Sequence, residues 1–125
     1  MNTHIMYCYY GNDLVSRIEV DGEKVTFVNY TDDLVLLPFG NRDSATLEDV
    51  KHYLESRCFP KTRGNCKQLL DDMNLPFYDP LQIIKITHGA MVDDLFWIRF
   101  EGEDLTWDQV NPRKLINEGI FNQRN

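Results

Sequence analysis

Residues 50–63, VKHYLESRCFPKTR, decide the fold of this chain together with residues 80–90, PLQIIKITHGA. The first stretch carries apolar side chains at helical spacing and ends in Phe59-Pro60. The second stretch begins with a proline and ends close to a glycine, which are the residues that favour the first turn and the end of a helix. The two stretches therefore predict two helices, one stopping before the Phe-Pro pair and one over residues 81–86.

The residues before these stretches indicate where the helices begin. Thr46 and Asp49 have the spacing of a capping box, so the first helix is expected to start near Leu47. Asp79 is a good N-cap for the later helix. Apolar residues at inward spacing predict a further helix between them, over residues 63–73.

The N-terminal part of the chain has the pattern of a β-meander. Residues 5–10, 14–20 and 24–30 are short runs rich in Val, Ile, Tyr and Phe, and an Asp-Gly pair typical of a tight hairpin separates the last two. Residues 95–100 form a fourth run of this kind. The predicted fold class is α+β: one domain over residues 1–125, in which an antiparallel sheet packs against about three short helices.

Short sequence patterns predict the structure of the remaining segments and of the two ends of the chain. Residues 34–37 form a short apolar run that we expect to be buried and that Pro38 ends. A last short helix is predicted over residues 111–119. We expect frayed ends at residues 1–4 and 120–125.

The aromatic-rich run at residues 95–100 leaves two arrangements open. Successive side chains of a strand face opposite ways, so a sheet covered on one side would expose one of two sets. The sets are Leu95 with Trp97, and Phe96 with Ile98 and Phe100. An exposed aromatic stripe usually marks an interface. The other arrangement buries the strand on both faces.

Length and charge limit the possible functions. The chain has 125 residues, 42% of them hydrophobic, and 20 acidic against 13 basic residues give a net charge of −7. An excess of negative charge disfavours binding to the nucleic-acid backbone, which requires Lys and Arg. A basic surface on another protein is the better match.

The cysteines and the N-terminal residues indicate in which cellular compartment the protein is expected. Cys8, Cys58 and Cys66 are an odd number, and the first residues lack the basic region of a secretory signal. No apolar run approaches the roughly 18 residues that a membrane span needs. We therefore expect a reduced cytoplasmic setting and no membrane partner.

Zinc binding and catalysis are weakly indicated. The candidate metal ligands fit no Cys-x2-Cys unit, and free cysteines are among the most buried residue types. A cysteine–histidine catalytic pair would lack an orienting group and an oxyanion site. We expect no enzyme, no catalytic residue and no cofactor; the weak metal candidates are Cys58, Cys66, His52 and His88.

Two groups of charged residues are candidate partner-binding surfaces. Six carboxylates within sixteen residues could form either an acidic docking surface or a solvated face with helix caps: Asp93, Asp94, Glu101, Glu103, Asp104 and Asp108. A smaller group surrounds the Phe-Pro pair and forms a candidate basic loop: Arg57, Phe59, Lys61 and Arg63. Together they predict a polarised surface.

The order of these elements resembles the N-terminal subdomain of HipA-type Ser/Thr kinases. The resemblance covers about residues 18–100 and rests on the meander, the Leu-rich run ending at Pro38, the helix before Phe59-Pro60 and the segment that leads to Gly89. The kinase chemistry of that family resides in a large C-terminal domain, and this sequence has no Gly-rich phosphate loop or HRD-like segment. The resemblance implies a free-standing, HipS-like small subunit that binds and restrains a HipA-like toxin kinase.

A second hypothesis rests on size and charge. Small acidic proteins of phages and mobile elements, including anti-CRISPR proteins, use carboxylates to compete for Lys and Arg grooves built for nucleic acid. Under this hypothesis the partner is a Cas nuclease, and residues 93–108 are the working surface.

Overall fold

The computed structural model describes residues 3–112 and contains one antiparallel sheet in the order β3-β2-β1-β4. Its strands are β1 (Thr3–Tyr10), β2 (Asp13–Asp21), β3 (Lys24–Asn29) and β4 (Phe96–Phe100). The helices that this part of the chain contains are α1 (Leu47–Ser56), α2 (Cys66–Asp72), α3 (Pro80–Thr87) and the short α4 (Trp107–Val110). The predicted α+β class is confirmed, including the meander and the strand near residues 95–100.

The β2–β3 hairpin shows why the meander forms. Asp21 pairs with Lys24, so the two residues between them make the turn. Gly22 occupies the first of these positions with φ of +64°. A positive φ at this position suits glycine, and such two-residue turns match the twist of the flanking strands. The hairpin was predicted, but Gly22 is the first central residue and Asp21 already belongs to β2.

One face of the sheet packs against the helices and forms the core. Helix α1 contributes Val50 and Leu54 from the predicted apolar face, and α3 contributes Ile83 and Ile84, both fully buried. Burying a side chain of this size contributes about 1.5–3 kcal/mol. The sheet side of the core consists of Met6, Cys8, Ile18, Val20, Ile98 and Phe100.

Strand β4 is buried on both faces. Ile98 faces the helices and is 0% exposed, while Trp97 faces the opposite way and is only 1% exposed. Tyr9 stacks on the indole of Trp97 with ring centroids 4.6 Å apart. No exposed aromatic stripe is found on this strand, and the second of the two predicted arrangements is the observed one.

One predicted segment is wrong, and one predicted helix begins later than expected. Residues 34–37 are not a buried run: Leu34–Leu36 form a 3-10 helix, and Val35 is 83% exposed. The Asp33 carboxylate accepts a hydrogen bond from the Val35 amide and so stabilises a local turn instead of a strand. Helix α2 begins at Cys66 rather than Arg63, because residues 60–65 form successive turns.

The ends of the chain were predicted less closely. Strand β1 begins at Thr3, within the segment expected to be frayed, and Thr3 pairs with Asp21. The helix predicted over residues 111–119 lies outside the described residues apart from its first two positions, as does the end over residues 120–125. Among residues 3–112, no helix is both long and apolar enough to cross a membrane.

Candidate functional site

Arg57, at the C-terminal end of α1, points into the molecule. Its Nη1 and Nη2 form a bidentate pair with the Asp94 carboxylate at 2.9 and 2.8 Å. Its Nε donates to the carbonyl oxygen of Gly89 at 2.9 Å, and Nη2 also donates to that of Phe96 at 3.1 Å. The Arg57 side chain is 10% exposed. Bidentate, charge-assisted bonds of this kind fix both orientation and distance.

The turn after α3 is shaped by its contact with Arg57. Gly89 has φ of +67°, and a Cβ added there would lie 3.1 Å from Cβ of Arg57. Any other residue would be strained by its backbone conformation and crowded by the arginine. His88 precedes it in the left-handed conformation, with φ of 59°, and its ring Nε2 lies 3.0 Å from Oε2 of Glu103.

These polar residues cover the outer edge of strand β4. The Phe96 amide donates to Asp94 at 3.0 Å, the Ile98 amide donates to the His88 carbonyl at 2.8 Å, and the Phe100 amide donates to Glu103 at 2.7 Å. The exposed N–H and C=O groups of an edge strand would otherwise attract another strand. The cluster formed by Arg57, His88, Asp94 and Glu103 therefore acts as a clamp, which we call the β4 clamp.

The β4 clamp divides the predicted acidic surface. Asp94 and Glu103 are half-buried: Asp94 forms an ion pair with Arg57, and Glu103 lies within hydrogen-bonding distance of the His88 ring. The other four carboxylates are exposed, and Glu101 among them accepts a hydrogen bond from the Tyr7 hydroxyl at 2.9 Å. Strand β4 lies between Asp93 and Glu101, and five strand residues span about 16 Å. Asp93 and Glu101 thus lie near opposite ends of β4. The exposed carboxylates are Asp93, Glu101, Asp104 and Asp108.

The predicted basic loop also keeps only some of its residues at the surface. Arg57 belongs to the clamp, so its charge is turned away from the loop surface. Lys61 and Arg63 are exposed. Phe59 is held by Tyr78, whose ring lies edge-on with centroids 5.8 Å apart and whose hydroxyl donates to the Phe59 carbonyl at 2.8 Å.

A cleft of about 450 Å³ joins the two charged regions. Its lining includes Phe59, Pro60 and Arg63, together with the turn after α3 and Asp93. The structure therefore brings Asp93, in addition to the paired Asp94, close to residues of the basic loop. A cleft lined by apolar side chains and by opposite charges is suited to binding a peptide segment.

The metal candidates are not brought together. The Cys58 thiol donates to the Leu54 carbonyl at 3.3 Å, and burial raises its pKa to about 12. Cys66 is half-buried at the edge of the core, and His52 lies on the exposed side of α1, 3.4 Å from Glu48. In the part of the chain that the structure describes, no group of three or more His, Cys, Asp or Glu residues has the arrangement of a metal site.

One feature was missed at the level of sequence. On the face of the sheet opposite the helices, Tyr7 of β1 lies in register between Arg17 of β2 and Arg99 of β4. The two guanidinium carbons lie 5.9 and 4.4 Å from the Tyr7 ring centroid. Guanidinium groups at such distances are attracted to the ring face. The alternation of β1 places Tyr7 and Tyr9 on one face, but only the strand register reveals the arginines.

Comparison of the chain with protein-family models, with characterised proteins and with solved structures gives no match. The resemblance to the HipA N-terminal subdomain therefore stays a prediction.

Proposed function

We propose that this protein acts without turnover, by binding a partner protein that presents a basic surface. The observation that carries the proposal is that its carboxylates fall into two groups, one paired within the chain and one exposed to solvent. Asp94 and Glu103 are tied to Arg57 and His88 and hold the backbone around β4. The exposed carboxylates beside them are thereby displayed from a fixed backbone. A preorganised surface loses less conformational entropy on binding, and its charges increase the rate of encounter with an oppositely charged partner.

The partner that the resemblance favours is a HipA-like toxin kinase. In that case the protein would act as its small companion and restrain it. The cleft between Phe59 and Asp93 supports this reading, because its lining offers a partner segment apolar side chains and the opposite charges of Arg63 and Asp93.

The alternative partner is a Cas nuclease, bound through a nucleic-acid-mimicking surface. The observation that favours this reading is the grouping of exposed Glu101, Asp104 and Asp108 within eight residues after β4. Carboxylates at such a site would compete for Lys and Arg side chains that otherwise contact phosphates. The two readings predict different working surfaces.

The test removes the displayed carboxylates and leaves the clamp intact. The displayed variant combines Asp93→Asn, Glu101→Gln, Asp104→Asn and Asp108→Asn. A control variant with the same charge change replaces exposed carboxylates elsewhere: Glu23→Gln, Asp32→Asn, Asp43→Asn and Asp71→Asn. Both are titrated against the partner isolated from the host with tagged wild-type protein, at low and moderate salt.

We expect the displayed variant to bind roughly tenfold more weakly and with a flatter salt dependence, while the control keeps most of the wild-type affinity. Equal losses in both variants would show that only net charge matters and would overturn the proposed site. A third variant combines Lys61→Gln with Arg63→Gln. If this variant alone loses affinity, the interface lies at the basic loop, which favours the HipA-like kinase as the partner. Kinase, nuclease or protease activity above background in the purified protein would contradict the absence of turnover.

A further inference from the structure

The two edge strands of the sheet differ in whether their outer backbone groups have hydrogen-bond partners. At the β4 edge, the clamp supplies partners for the amides of Phe96, Ile98 and Phe100. At the opposite edge lies β3, which pairs with β2 on one side. Over residues 3–112, no other strand and no side chain from another element hydrogen-bonds to the free side of β3.

The hairpin fixes which backbone groups β3 leaves open. Asp21 and Lys24 flank a two-residue turn, so they form a hydrogen-bonded pair, and such pairs alternate along an antiparallel ladder. Val25 and Phe27 therefore direct their N–H and C=O groups away from β2. Strand β3 has no proline and no bulge, and its only charged residue is Lys24 at its start. It lacks most of the devices that protect an edge strand from pairing.

We propose that β3 pairs antiparallel with β3 of a second copy of this chain, which joins two four-stranded sheets across a two-fold axis. By the same alternation residues 25, 27 and 29 all direct their backbone groups outward, and the register that pairs all three places Phe27 opposite Phe27 of the second copy. Thr26 then faces Val28 of the second copy, and Lys24 faces Tyr30. This interaction is separate from the partner-binding function proposed above and uses the other edge of the sheet.

The side chains favour a second copy over an unrelated strand. Val28 and Tyr30 are 50% and 51% exposed, and this register covers both of them. Lys24 meets the ring of a tyrosine, which a cation favours, and no like charges face each other along the paired strands. A C2 interface requires such self-complementarity. The opposing contribution is the net charge of −7 on each copy, which salt screens.

The first test is self-association of the wild-type chain. Sedimentation equilibrium over concentrations from about 10 μM to about 1 mM should show a monomer–dimer equilibrium that strengthens with salt. Amide exchange at Val25 and Phe27 should slow as the dimer fraction rises. A monomer throughout this range would overturn the proposal. Protection of these amides that does not depend on concentration would also overturn it, since another part of the chain would then cover the edge.

The second test addresses register with two variants that differ at one position. Thr26→Lys with Val28→Lys places like charges opposite each other across the axis, and Thr26→Lys with Val28→Glu places opposite charges there. We expect the first to dimerise about tenfold more weakly than the second. Equal association of the two variants would refute the register. Val35→Lys, at a residue 83% exposed outside β3, is the control and should associate like wild type.

Discussion

Arg57 holds four segments of the chain together: the end of α1, the turn at Gly89, Asp94 and the start of β4. Replacing it by methionine would keep much of its length and remove the charge, leaving the Asp94 carboxylate without its cation. We expect Arg57→Met to lower the free energy of unfolding by about 2 kcal/mol. This lies below the range for fully buried pairs because Asp94 is 28% exposed. Urea unfolding monitored by circular dichroism measures the change.

A double variant is the control for this pair. Arg57→Met with Asp94→Asn removes both charges and should recover part of the lost stability, because no uncompensated carboxylate remains. Asp94→Asn is measured alone as well. If the double variant loses as much stability as the two single variants together, Arg57 acts through packing and its carbonyl contacts alone.

The cysteines provide a second prediction for single residues. Burial raises the pKa of both the Cys8 and Cys58 thiols to about 12, and only thiolates react with alkylating reagents. Cys66 is half-buried at the edge of the core. At about pH 8, iodoacetamide should modify Cys66 first and leave the other two intact until the protein unfolds. Peptide mass spectrometry identifies the modified site, and early labelling of Cys58 would contradict the packing of α1 against α3.

The sequence singles out all four residues of the β4 clamp but does not predict that they meet. It assigns Arg57 to the basic loop, Asp94 and Glu103 to the acidic surface, and His88 to the metal candidates. Arg57 and Asp94 are 37 positions apart, and charge alone does not say whether a side chain meets solvent or another part of the chain. Their pairing depends on the turn at Gly89, whose close approach to Arg57 is a tertiary contact. The sequence therefore identifies these charged residues as candidates, but their pairing partners are set by tertiary contacts that it does not reveal.

Among the elements, those with local signals were predicted best. The start of α1 follows from Thr46 and Asp49, whose side chains and amides satisfy each other within one turn. The β2–β3 hairpin follows from a glycine with positive φ. Residues 34–37 were misread because apolar composition indicates burial only where another element covers it, and here a capped 3-10 turn leaves Val35 in solvent.

The cap of α1 gives a prediction for an element. Thr46→Ala removes the hydroxyl that accepts a hydrogen bond from the Asp49 amide, and such changes cost about 1 kcal/mol of stability. The pKa of Asp49 is lowered, first by its hydrogen bond from the Thr46 backbone amide and also by Arg42. A carboxyl with a lowered pKa in the folded state stabilises the protein above its unfolded pKa, about 3.9. That contribution disappears as pH falls through the folded value.

Urea unfolding of wild type and Asp49→Asn as a function of pH checks this. The two proteins should differ at about pH 7 and converge as the pH falls below about 3.9. Asp43→Asn, which replaces an exposed carboxylate in the preceding loop, is the control and should follow wild type. A difference between Asp49→Asn and wild type that stays constant at low pH would show that the charge of Asp49 does not support the cap.

The four-stranded sheet is complete only when distant parts of the chain meet. Strand β4 comes after all three longer helices but pairs with β1, the first strand. The Trp97 indole donates to the Gly11 carbonyl at 2.7 Å, across 86 positions of sequence. The outer edge of β4 is in turn held by Arg57 of α1 and by the end of α3. The helices and the sheet therefore depend on each other for their stability.

This dependence predicts a single cooperative unfolding transition. In a Trp107→Phe background, Trp97 is the remaining tryptophan, and its 1% exposure makes its fluorescence a probe of the β1–β4 contact. Its urea midpoint should coincide with that of far-UV circular dichroism, as two-state unfolding requires. The Trp107→Phe variant should first match wild type by circular dichroism, because Trp107 is only half-buried on the short α4. A fluorescence transition at lower urea would mean that β4 detaches while the meander and helices persist, and the domain would not be one cooperative unit.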